Sequence, residues 1–137
     1  MSSAPSDDQF PPGPDMIEAM ALAAVESFPE PFRDLARAVR LMVEDFADDE
    51  TLREMGMEDP FELTGLYDGI PMTEKSVMDQ AQGPDTVWLF RRAILDEWIA
   101  RAEIPLAALV THVTVHEFAH HFGWSDDDIA AIDPWWE

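Results

Sequence analysis

The stretch from Pro105 to Phe122, "PLAALVTHVTVHEFAHHF", constrains this chain more than any other. It is apolar nearly all round, through Leu106, Leu109, Val110, Val113, Val115, Phe118, Ala119 and Phe122. A helix with apolar residues on every side belongs inside a domain. Proline at its first position fits, because the N–H it lacks would have no partner there. The chain has 137 residues, 47% hydrophobic and 10% aromatic, which is enough to surround such a helix with one domain but not comfortably with two.

The same stretch holds all four histidines. At about 100° per residue, His112, His116 and His120 fall within about 80° of arc, while His121 points about 100° away from His120. A single histidine in an apolar helix is more often a hydrogen-bonded core residue than a ligand, so the spacing alone does not decide. Glu117 adds more, because His116 to His120 reads H-E-x-x-H. Two imidazoles one turn apart grip a zinc ion, and the carboxylate beside the first is placed to take a proton from an activated water. The chain has no cysteine, so any metal site must be built from imidazole and carboxylate.

Beyond His120 the pattern extends to H-E-x-x-H-x-x-G-x-x-D. Gly123 can take a left-handed conformation that turns Asp126 back toward the histidines as a third, oxygen ligand. Water would keep the fourth position, as catalysis requires. The run "SDDD" is equally a helix start, with Ser125 as cap and acids in the first turn, and both roles are compatible at Asp126. Asp127 and Asp128 read as solvated.

Residues 1 to 14 are acidic and proline-rich without periodicity, and read as a disordered leader to a domain over 15 to 137. "DMIEAMALAAVES" predicts a first helix capped by Asp15 and ended by Pro29. The alternation Val39, Leu41, Val43 predicts a strand, and the acid-led segment up to Gly56 a second helix. "GLYDGIPM" suits a short edge strand, and "TVWLF" a further strand before the amphipathic "AILDEWIARAE". This order predicts an α+β fold, a single domain with helices packed against a small mixed sheet.

Net charge is −21, from 29 acidic and 8 basic residues, which makes nucleic acid and anionic membranes poor partners. The plain reading of that charge is a solvated surface, and the sharper one a surface that attracts basic peptides. No signal peptide or spanning segment is visible, and the expected location is the cytoplasm.

From about Asp15 onward the chain resembles the small bacterial zincin-like metallopeptidases. The resemblance rests on "FRDLARAVRLMVED", "LTGLYDGIPMTEKSV", "DTVWLFRR" and "VTVHEFAHHFG" with the extended motif. It implies a minimal zincin-like fold, one zinc ion held by His116, His120 and Asp126, Glu117 as general base, and a peptide or protein substrate. Zincins add an extended peptide to a sheet edge, which would place it along residues 66 to 73. No methionine follows Met78, so the methionine turn that floors some zincin sites cannot form. Trp135 or Trp136 would pack beneath the ligands instead, or simply cover the core edge. His112 and His121 take supporting roles, and Tyr67 reads as packing before oxyanion stabilisation. The function expected is zinc-dependent peptide hydrolysis. The alternatives are a catalytically silent zincin-like domain that binds metal or a protein, and an acidic interaction protein without metal.

Overall fold

The computed structural model describes residues 12–69, 85–101 and 103–133, with the side chains of Asp126 and Ile132 set aside. The order of elements is α1 (Pro14–Glu26), α2 (Phe32–Ala36), β1 (Arg40–Glu44), α3 (Asp49–Glu54), a 3-10 turn (Pro60–Glu62), β2 (Gly65–Asp68), β3 (Thr86–Phe90), α4 (Arg91–Arg101), α5 (Leu106–Phe122) and α6 (Asp126–Ile132). The fold is α+β, as the element order predicts. Most local signals act as read. Asp48 caps α3 by accepting from the Thr51 N–H, and Gly56 stops that helix at φ 71°. Two caps move by one or two residues: Gly13, not Asp15, caps α1, and Pro105 is the cap of α5 rather than its first residue. The leader expected over residues 1 to 14 lies mostly outside the described residues, and α1 already includes Pro14.

Among the described residues the sheet has three strands in the order β1-β3-β2. β3 is central, parallel to β1 with Met42 opposite Trp88, and antiparallel to β2 with Leu66 opposite Trp88. Alternation along β3 sends Val87 and Leu89 to one face and Trp88 and Phe90 to the other. The first face meets α1 and α5 in the main core, built from Ile17, Phe28, Val87, Leu89, Ile94, Val110, Val115, Phe118 and their neighbours. The second face carries a smaller cluster of Ala47, Leu52, Leu63, Phe90 and Ala93, with Leu66 and Trp88 packed against it. Among the described residues β2 is therefore an edge strand, lying against α5 with Tyr67 turned to the main core and Leu66 to the smaller one.

Candidate metal centre

α5 divides its residues more sharply than an all-round apolar helix suggests. Leu109, Val110, Val113, Val115, Phe118, Ala119 and Phe122 are buried, but His116 and His120 are exposed and Glu117 and His112 half-buried. The expectation that the histidine stripe is buried is therefore corrected. The apolar residues occupy enough of the circumference to anchor the helix, and the two motif histidines fall on the remaining strip. His121 is the buried histidine, at 6% exposure, because its one-residue offset turns it toward the sheet.

Glu117 sits between these regions. Its carboxylate accepts the backbone N–H of Tyr67 on β2, and burial pushes its pKa up to about 7 while that hydrogen bond pulls the other way. The contact depends on Gly65, which sequence reading passed over. A methyl group built there would lie 2.9 Å from Val113 Cγ1, 3.0 Å from Glu117 Cγ and 3.2 Å from Glu117 Oε2. Without a side chain at Gly65, the strand closes onto the helix and brings the Tyr67 N–H to the carboxylate. A glycine inside a strand pattern is the available signal for such a close approach.

Two hydrogen-bonded groups flank the stripe. His112 Nδ1 is 3.0 Å from Asp133 Oδ2, and its ring centroid is 4.3 Å from that of His116. Burial lowers the His112 pKa, opposed by the Asp133 carboxylate and reinforced by His116. On the other side, the Tyr67 hydroxyl donates to Asp85 Oδ2 at 2.8 Å and lies 3.1 Å from His121 Nδ1, which is itself 3.0 Å from Asp85 Oδ2. Burial first, then Asp85, raises the Tyr67 pKa. Tyr67 thus ties β2, the start of β3 and α5 together, and its hydroxyl is engaged with Asp85 and His121. Asp85 is the second partner that sequence reading missed, because only the fold brings it to His121.

α5 ends as its glycine predicts. Gly123 is left-handed at φ 70°, ψ 34°, with its N–H bonded to Ala119 O at 2.8 Å. Ser125 then caps α6 in a capping box with Asp128, and Asp126 is the first residue of that helix. The Asp126 side chain lies outside the described part, as do Trp135 and Trp136. Among the described residues no three His, Asp or Glu side chains are gathered to hold a metal ion. The described donors suit zinc in chemistry: two exposed imidazoles one helical turn apart, with a carboxyl group between them in sequence.

A search of curated proteins finds no match. A family model described as zincin-like metallopeptidase matches residues 36–136, a span that takes in the whole sheet, Glu117 and the complete extended motif. With that match across most of its length and this helix, strand and motif arrangement, the chain belongs to the zincin-like metallopeptidase family.

Proposed function

We propose that the protein is a zinc-dependent peptidase in which His116, His120 and Asp126 hold one zinc ion and Glu117 moves the proton. The observation that carries this reading is the docking of β2 onto α5 at Gly65. It buries Glu117 in part where strand meets helix, next to the Tyr67 N–H, while His116 and His120, which bracket it in sequence, stay exposed. Bound zinc supplies a Lewis acid and makes water a nucleophile near neutral pH. Gly123 supports the ligand set by turning the chain from His120 toward Asp126.

The residues of the chain do the rest. Glu117 would accept a proton on its carboxylate and later return it to the leaving amine. The Tyr67 N–H favours the charged form of that carboxylate, against the burial that disfavours it. Among the described residues β2 has an open edge, and an extended peptide would pair with the main-chain groups there that Glu117 does not occupy, lying across the helix at Glu117. The Tyr67, Asp85 and His121 group fixes the strand to the helix and keeps that edge in place.

The decisive experiment compares cleavage of a peptide library by the zinc-loaded protein and by Glu117→Gln. Cleavage by the first that falls at least about a hundredfold in the second is expected for loss of a general base. Identical product profiles would defeat the peptidase assignment. Stoichiometric zinc with no turnover in either protein would establish the silent metal-binding alternative instead.

A further inference from the structure

The sheet face opposite α5 carries a cavity of about 420 Å³, lined by Glu44, Phe46, Ala47, Asp48, Thr51, Leu66, Asp68, Trp88 and Phe90. That volume lies within the range of ligand sites. Its floor is aromatic and aliphatic, from Trp88, Phe90, Phe46 and Leu66, and its charged lining residues are all acidic. Neither the metal motif nor Glu117 contributes to it, so it is separate from the proposed active site.

The carboxylates are arranged in a way that narrows the occupant. Asp48 is spent in part on capping α3 through the Thr51 N–H. The side chains of Glu44 and Asp68 are exposed and make no hydrogen bond or ion pair among the described residues. Glu44 stands opposite Phe90 and Asp68 opposite Thr86, on the two strands that flank β3. Four residues along and two strands across place them roughly 16 Å apart. One cation cannot meet both. Between them lies the ring of Trp88, at the register position shared with Met42 and Leu66. The ligand that matches is extended, bears a positive charge toward each end and presents planar or aliphatic surface between them.

We propose that this face binds a peptide segment carrying two arginines, one guanidinium at Glu44 and Asp48, the other at Asp68, with their stems across Trp88 and Leu66. Arginine fits better than lysine because its flat guanidinium both pairs with carboxylates and stacks on aromatic rings. The chain already sets one guanidinium over an aromatic ring of this lining, with Arg92 Cζ 5.7 Å from the Phe46 ring centroid. The net charge of −21 favours encounter with such a segment, and the cavity gives that general attraction one place to become specific.

The test is a titration of the full chain, held metal-free with a chelator, with acetyl-Gly-Arg-Gly-Arg-Gly-amide, followed by NMR at the Trp88 indole N–H and identified by Trp88→Phe. Replacing either arginine by uncharged citrulline should weaken binding roughly threefold to fivefold, and Glu44→Gln or Asp68→Asn should each do the same. Glu18→Gln with Glu103→Gln removes two charges that do not line the cavity, and should leave the affinity within about twofold. The proposal is overturned if the citrulline peptide binds equally, if the control variant loses as much as the cavity variants, or if the shifts lie away from Trp88. It is also overturned if spermidine, a linear polyamine, binds this face more tightly than the peptide. Because zinc and Glu117 take no part, these outcomes are independent of the peptidase test.

Discussion

Replacing Gly65 by alanine adds a single methyl group, and the structure says what that group meets. It would sit 2.9 Å from Val113 Cγ1, closer than real Cβ atoms come, and 3.0 Å from Glu117 Cγ, tighter than nearly all real contacts. Val113 is buried and Glu117 is held by the Tyr67 N–H, so the strand must shift away from the helix. Overpacking of this kind costs about 1 to 3 kcal/mol, and a weakened hydrogen bond to the carboxylate about 1 more. Against these stands a gain of about 0.4 to 1 kcal/mol, because alanine restricts the unfolded chain more than glycine does. Clash wins, and the net expectation is a loss of about 1 to 3 kcal/mol, read by urea denaturation with tryptophan fluorescence. Val113→Ala in the same chain removes the nearest contact. Although Val113→Ala alone is destabilising, the double variant should lose about 1 kcal/mol less than the sum of the two single losses. A neutral or stabilising Gly65→Ala, or strict additivity with Val113→Ala, would show that β2 does not rest on α5 in the way described.

Four further outcomes follow from the same geometry. Glu117 has a folded pKa raised from 4.5 to about 7, so the folded chain keeps a proton that the unfolded chain loses between those values. The stability it contributes is complete below pH 4.5 and is lost as pH rises to about 7, so metal-free Glu117→Gln should gain on the wild type over that window, by at most about 3 kcal/mol; a difference between the two proteins that is flat with pH would refute this. Tyr67→Phe leaves Asp85 and His121 without the hydroxyl and should cost about 1 to 2 kcal/mol in denaturation experiments. Gly123→Ala forces a methyl group into the left-handed region at φ 70° and should cost about 1 kcal/mol by thermal unfolding. His120→Ala changes an exposed side chain and should alter metal-free stability by no more than about 0.5 kcal/mol, while zinc retention measured by elemental analysis falls sharply.

Much of this was legible because the signals are local. The period of α5, the left-handed glycine at its end, the serine cap of α6 and the alternation of β1 and β3 are set by residues within a turn or two of each other. The H-E-x-x-H segment is local in the same sense, which is why His116, Glu117 and His120 could be named from spacing. What could not be read depends on distant parts of the chain meeting. The exposure of His116 and His120 is decided by which strip of α5 the sheet and α1 leave uncovered. Asp85 lies 36 positions before His121 and Gly65 lies 52 before Glu117; a glycine in a strand pattern signals a close approach, but nothing local names the partner in either pair. The acidic cavity is hidden for the same reason, since Glu44, Asp68 and Trp88 become neighbours only through the strand order β1-β3-β2.

The partition of α5 carries one more consequence. The side chains that fasten the helix are Leu109, Val110, Val113, Val115, Phe118 and Phe122, and those assigned to the metal are not among them. Apart from Glu117, which packs against Gly65, folding and the proposed metal chemistry thus draw on different residues of a single helix. A lineage could lose His116 or His120 and still inherit an intact scaffold, so the architecture outlasts the reaction; conversely, a folded scaffold gives no assurance that the reaction survives.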